Sequence, residues 1–437
     1  MLSRLFQLEE HKTSVKTELL AGMTTFLTMV YIVVVNPIIL ADAGVPFEQV
    51  FLATIIAAVV GTLWMAFAAN FPIAIAPGMG LNAYFAYSVV GANEAVGYEV
   101  AFGAVFISGI LFIILSLTSF REKLIEAIPS NLKHGITAGI GLFIAFIGMR
   151  LTGLIVPHPE NLVSLGDLQS PQVMLALFGL TVTIILMSLK ISAALFLGMV
   201  ITGVAAYLFG MLSFTEGVAS IPSNPEWFIF GSPLDALVNV IQYGLYAVVF
   251  SFLLVTIFDT TGTMIGVAQQ AGIMKGNKMP KARQALLADS VAKTVGSVFG
   301  TSPTTAYIES SAGVAAGGRT GLTTLTVAVL FIITAFFSPV VGAVSGIAAI
   351  TAPTLIIVGS LMVGAVSHIK WNEFDEAFPA FLVILSMPLT SSIATGIALG
   401  FITYPIMKIF SGKRKEVHPL VLIFAILFAI QLVFLPH

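Results

Sequence analysis

Apolar residues run along this chain in blocks of about twenty, the length a helix needs to cross a bilayer core, and short polar stretches close each block. The blocks predict spans at Leu19–Leu40, Val50–Ala69, Val100–Thr118, Leu132–Met149, Gln172–Leu189, Ile191–Met211, Tyr243–Gln269, Ala285–Gly300 and Leu322–Phe337. Another ends near Val366, and Phe378–Phe410 divides into two near Pro388–Ser392. Two further stretches fall where spans are due but break the pattern. Asn70–Gly91 begins extended, because Pro72 and Pro77 disfavour helix in the residues before them, and a half-helix then starts near Gly78. Thr301–Gly318 reads TSPTTAYIESSAGVAAGG, small and polar with one acid. Irregular backbone at membrane depth survives only inside protein or beside a cavity. Counting the two broken elements gives fourteen segments, an all-α polytopic membrane protein.

Charge orients these segments. Arg4, Lys12 and Lys16 precede the first span and predict a cytoplasmic N-terminus that is retained. Arg121 and Lys123, Lys190, the group Lys275, Lys278, Lys281 and Arg283, and Lys413 to Lys415 mark inner loops, whereas the loops with Asp42 and Glu48, Glu160 and Asp167, and Glu216 and Glu226 carry acids only. The alternation follows the positive-inside rule. Composition agrees: charged residues make up 9% of the chain, against about 25% in soluble domains. Cys is absent, which removes disulfides, thiolate metal sites and thiol chemistry. Val417–Leu435 is one more apolar segment, read as a peripheral accessory helix because an extra span would put the C-terminus outside.

The chain also echoes itself. Ile191, Gly198 and Gly210 match Ile393, Gly400 and Gly412 at one offset, and each half has its broken element third. Seven segments per half is odd, so the halves insert with opposite orientation. Paired broken helices in inverted repeats point to a secondary transporter with its site at the repeat interface.

Two acids lie deep in apolar sequence, Asp259 in LLVTIFDTTGTMIGVA and Glu309 in TAYIESSAGV. An intramembrane acid is costly, by roughly 2.5–3.5 kcal/mol on insertion scales, and reads by default as functional. A carboxylate accepts hydrogen bonds when ionised and gains a donor when protonated. It therefore binds N–H groups of a heterocycle and links that binding to protonation. Thr263 lies one turn beyond Asp259 on the same face. Asn82, in PGMGLNAYF, supplies an amide on the matching broken element. Phe85, Phe258 and Tyr307 are candidates to stack on a planar ligand, and the half-helix N-termini aim backbone N–H groups at the cavity. Asp289 and Lys293, four apart, read as a structural helix-face pair.

The motifs FDTTGT, TTAYIESSAG and PGMGLNAYF, with the start TELLAGMTTFLTMVYIVVVNP, resemble the AzgA-like purine permeases of the nucleobase–ascorbate transporter superfamily. The resemblance spans nearly the whole chain. It implies a uracil-permease-like fold of two inverted seven-segment repeats, with short strands and half-helices pairing in the broken segments. It implies a core domain from residues 1–119 and 234–338, a gate domain from 120–212 and 339–412, and an extra apolar segment at 413–437. It further implies proton-driven uptake of hypoxanthine, guanine or adenine by alternating access, in the plasma (inner) membrane. Asp259 and Glu309 take the positions of the family's substrate-binding acids and Asn82 that of its polar residue on the third element. Thr263 stands where some relatives have histidine, and Ile308 where the uracil branch has glycine. Proton coupling is expected from Asp259 and Glu309. The expected partners are a purine base, a proton and the lipid bilayer, with no nucleic acid, cofactor or metal; a homodimer is left open. The rival transporter is an anion carrier on the same fold. An intramembrane enzyme is disfavoured by the lack of HExxH, of any Cys nucleophile and of GxGD.

Overall fold

The computed structural model describes residues 2–91, 96–118, 127–214, 217–274 and 279–434. The expectations for Arg121, Lys123, Glu216, Lys275, Lys278 and Leu435 lie outside these residues. The protein is a helical polytopic fold. Among the described residues, nine helical stretches are long and apolar enough to cross a membrane. The remaining apolar elements are too short, broken or too polar to do so as continuous apolar helices.

The first stretch is not one helix but two, α1 (Val15–Met29) and α2 (Ile32–Ala41). Between them Val33 N–H bonds Val30 and Val34 N–H bonds Tyr31, both i→i−3 turns tighter than an α-helix. Pro37 contributes no N–H of its own. The interruption sets Tyr31 at the junction. α3 (Phe47–Trp64) follows and continues as a π-helical turn, Met65–Ala69, that ends on Asn70 in the left-handed region, at φ 59°. The Asn70 amide donates to the Phe6 carbonyl at 3.1 Å and accepts from Gly321 N–H at 2.8 Å.

The two broken elements meet in the middle. Strand β1 (Ile75–Pro77) leads into the half-helix α4 (Met79–Ala83). β1 pairs antiparallel with a strand at Thr304–Ala306, Ile75 opposite Ala306 and Pro77 opposite Thr304. Both strands are buried, so every exposed peptide needs a partner at this depth. Gly78 N–H donates to the Pro303 carbonyl at 2.9 Å, Tyr307 N–H to Ala74 at 3.0 Å, and Ala74 N–H to Ser310 Oγ at 3.0 Å. On the outer edge of β1, Thr62 Oγ1 accepts Ile75 N–H and returns its own proton to the Ile75 carbonyl. Asn36 is the hub of this layer. Its amide nitrogen donates to Thr54 at 2.7 Å and Thr301 at 2.8 Å, and its oxygen accepts from Asn82 and Ser302, both at 3.1 Å.

Beyond α4 come α5 (Tyr98–Leu117) and α6 (Ser130–Thr152). The loop expected after α6 contains a short hairpin, β2 (Ile155–His158) with β3 (Leu162–Leu165). α7 (Pro171–Ser188) and α8 (Ala194–Leu208) complete the first half. The second half holds α9 (Tyr246–Gln270), α10 (Ala282–Phe299), β4 (Thr304–Ala306), the half-helix α11 (Ser310–Ala315), α12 (Gly321–Thr334) and α13 (Ala348–Val363). It closes with α14 (Phe374–Thr390), α15 (Ile393–Phe410) and α16 (Pro419–Phe434). α6 and α13 touch backbone to backbone, for a methyl at Gly141 would sit 2.6 Å from the Gly359 carbonyl oxygen. α16 packs on the bundle through Phe424 and Phe428, which meet Phe250 of α9 and Phe401 of α15.

Asp289 and Lys293 differ from the helix-face pair expected. Both are fully buried, and each turns to other partners. Asp289 accepts from the hydroxyls of Thr260 and Thr304, the latter at 2.6 Å. Lys293 donates to Ser108 at 2.6 Å, Thr256 at 3.1 Å and the Phe252 carbonyl at 3.2 Å. α10 thus grips α9 and β4 by polar contacts from the inside.

Candidate functional site

A cavity of about 470 Å³ opens where the broken elements face α6 and α13. One wall is polar. β4 and the turn after it supply Thr305, Tyr307, Ile308 and Glu309, α9 supplies Asp259 and Thr263, and the start of α4 supplies Met79 and Gly80. Tyr31, at the break between α1 and α2, closes this side and donates its hydroxyl to Glu309 Oε1 at 2.6 Å. The rest of the lining is Thr137 of α6 with Val358, Leu361, Met362 and Ala365. Among the described lining residues there are two carboxyl groups and no Lys, Arg or His. Such a site accepts hydrogen bonds from a ligand that brings donors, and its apolar half suits a flat, weakly polar body.

Local sequence explains each placement. Glu309 immediately precedes α11, just past the strand pairing, where the chain turns out of β4. Its half-buried side chain faces the cavity because the Ser310 hydroxyl and Tyr307 amide both bond back to Ala74. Asp259 and Thr263 share one face of α9, while Thr260 on the next face is held by Asp289 and accepts the Ala306 N–H at 3.3 Å. Tyr307 is pinned by its hydroxyl to the Pro77 carbonyl. Ile308 is 57% exposed and protrudes into the space.

The structure brings together Asp259, Thr263, Ile308, Glu309 and Tyr307, and leaves three expected residues away from the lining. Asn82 is fully buried and acts on Asn36, not on the cavity. Phe85 is fully buried and stacks on Phe102 with ring centroids 4.4 Å apart, a packing role set by the next turn of the broken element. Phe258 points to the side of Asp259 and has the Lys133 ammonium 5.8 Å from its ring centre. Tyr31, Thr137 and Thr305 line the cavity without having stood out in the sequence. Thr305 was visible in the TTAY run; Tyr31 and Thr137 are single polar groups inside apolar spans. A second cavity, about 520 Å³ around Ile38, Asp42 and Ser345, has no broken element in its wall, and its Asp42 carboxylate is occupied by the Tyr87 hydroxyl at 2.6 Å.

The sequence model of the permease family matches residues 16–399. The chain belongs to that family. This permease is 67% identical over 429 residues to the guanine/hypoxanthine permease PbuO of Bacillus subtilis, covering 98% of the chain and 99% of that protein. It is 44% identical over 438 residues to the adenine permease AdeP of Escherichia coli, covering 100% and 96%. The transmembrane domain of the cyanobacterial bicarbonate transporter BicA superposes with a TM-score of 0.63 over 88% of this chain and 97% of that domain, at 16% identity. SLC26A9 gives 0.64 over 92% of this permease. At such identities the likeness is one of fold. Family membership makes the chain a transporter, not an enzyme.

Proposed function

We propose that this permease imports purine nucleobases, hypoxanthine, guanine and adenine, across the plasma (inner) membrane by proton symport. The observation that carries the reading is the cavity itself: Asp259 and Glu309 both in its lining, no cationic side chain among the described lining residues, and a mostly apolar remainder of Val358, Leu361, Met362 and Ala365. The names of the relatives support the substrate class. Glu309 accepts N–H groups of the base, with Tyr31 fixing its second oxygen's orientation. Asp259 takes either a second N–H or the coupled proton. In the protonated state a carboxyl gains a donor, so the charge state of the pair and the hydrogen-bond pattern offered to the base change together. Asn82 acts at one remove, through Asn36, by holding the broken element in place.

Transport follows by alternating access in a fold of fourteen segments, two inverted repeats of seven. The core, residues 1–119 and 234–338, carries the acids and the paired strands. The gate, residues 120–212 and 339–412, supplies the apolar wall. Moving one against the other exposes the site to each side in turn. An anion carrier on this fold needs positive charge at the site, and two carboxyl groups repel the substrate instead. The test is uptake of radiolabelled hypoxanthine, guanine, adenine, uracil, bicarbonate and sulfate into proteoliposomes, with and without an imposed inward proton gradient. Purine accumulation that requires the gradient supports the reading; accumulation of bicarbonate or sulfate and not of purines refutes it.

A further inference from the structure

The gate-side wall of the cavity carries one polar side chain among its described lining residues, Thr137; its neighbours there are Val358, Leu361, Met362 and Ala365. Two contacts fix where Thr137 stands. One turn on, Gly141 lies against the Gly359 backbone of α13, too close for a side chain. Between them Ile140 packs on Gly80 of the half-helix, where an added methyl would overlap the Ile140 side chain. α6 is therefore locked to α13 on one face and to the cavity rim on the other. The Thr137 hydroxyl donates to the Lys133 carbonyl one turn back, at 3.2 Å. A hydroxyl has one proton and two lone pairs, so with its proton held by the helix it meets the cavity as an acceptor.

Taking the purine reading above as its basis, we infer that Thr137 is a specificity-determining residue that accepts a hydrogen bond from an exocyclic amino group on the base. The count of donors leads there. Hypoxanthine carries two N–H donors, one on each ring, and the core wall offers two carboxyl groups to receive them. Guanine adds a third donor, its 2-amino group; Thr263 and Thr305 stand on the same elements as the acids, and Thr137 is the acceptor that the gate-side lining offers. A base with the amino group gains a bond there; a base without it leaves only a hydroxyl lone pair in a wall that is otherwise apolar. A donor buried against valine in place of threonine loses its partner, which lowers affinity by about tenfold.

Equilibrium binding of radiolabelled guanine and hypoxanthine to the purified full-length protein tests this, in wild type, Thr137→Val and Thr137→Ser. The expected result is a fall of about tenfold in the guanine-to-hypoxanthine affinity ratio in Thr137→Val, with a wild-type elution profile on size-exclusion chromatography as the control for folding, and recovery of the ratio in Thr137→Ser. A wild type that binds both bases while Thr137→Val keeps the same ratio overturns this inference and leaves the purine reading standing. A wild type that binds neither base overturns the purine reading, and this inference with it.

Discussion

Two clusters of carboxyl groups in this protein are built on opposite rules. Where the start of α14 meets the end of α15, the buried Lys408 ammonium lies 2.8 Å from Asp375, 2.7 Å from Glu376 and 2.8 Å from Glu416. Lys413 adds a contact to Asp375 at 3.0 Å, and the Asn131 amide of α6 donates to Glu376 at 2.7 Å. Every acid there is matched by a cation or a donor. In the cavity, Asp259 and Glu309 share a wall with hydroxyls and peptide groups and no cation among the described lining residues. Burying charge without a counter-charge is unfavourable. The first cluster removes that penalty within the protein and so fastens helices. The second leaves it in place, and on the proposed reading a ligand or a proton relieves it. The partners of an acid, more than its burial, separate scaffold from site.

The contrast is broken most severely at the cavity. Glu309→Gln or Asp259→Asn should lower concentrative purine uptake by roughly a hundredfold, the size expected for losing a charge-assisted hydrogen bond that the ligand cannot replace. The same proteins should elute and melt like wild type, since no internal ion pair is lost. Uptake assays and size-exclusion chromatography check both halves.

Lys408→Met should invert that outcome. It leaves three carboxylates facing one another, and removing one partner of a buried ion pair costs about 3–5 kcal/mol. The expectation is a clear drop in thermal stability in detergent, with unchanged base affinity in the fraction that remains folded. Asn36→Ala is expected to fall between the two clusters in kind. It strands the amide of Asn82 and the hydroxyls of Thr301 and Ser302, a loss of about 1–3 kcal/mol, and loosens the strand layer that presents Glu309. Both the melting point and the base affinity should fall.

The smallest effect is expected at Glu416, which is 55% exposed. Its hydrogen bond to Lys408 holds its pKa below the ordinary glutamate value. A depressed carboxyl contributes stability that is present above its unfolded pKa and lost as pH falls through the folded one. Wild type should therefore melt slightly above Glu416→Gln at neutral pH, and the gap should close in acid. A gap that widens on acidification would contradict the assignment of Glu416 to the Lys408 cluster.

Much of this was legible in the sequence, and the limits were physical. Long apolar runs reveal the spans, because hydrocarbon leaves little choice of residue. Asp259 and Glu309 stand out for the same reason, and the prolines around Ile75 and Thr304 announce the breaks. What pattern does not carry is direction. Phe85 and Phe258 sit near the right residues but face the core and Lys133. Asp289 and Lys293 have helical ion-pair spacing, yet hydroxyls on α5, α9 and β4 reach them first. Tyr31 enters the site only because the first span breaks beside it, and nothing in an apolar β-branched run shows where a tight turn will fall. Thr137 depends on which face of α6 meets the cavity, and that is set by the crossing at Gly141 and Gly359.

The most direct single measurement is the position of hypoxanthine in a structure of the protein determined with that base bound. The account predicts ring nitrogens within hydrogen-bond distance of the Asp259 and Glu309 carboxyl groups, with the base lying between them and the wall formed by Thr137 and Leu361. Hypoxanthine bound elsewhere, or bound in this cavity without contact to either acid, would contradict it.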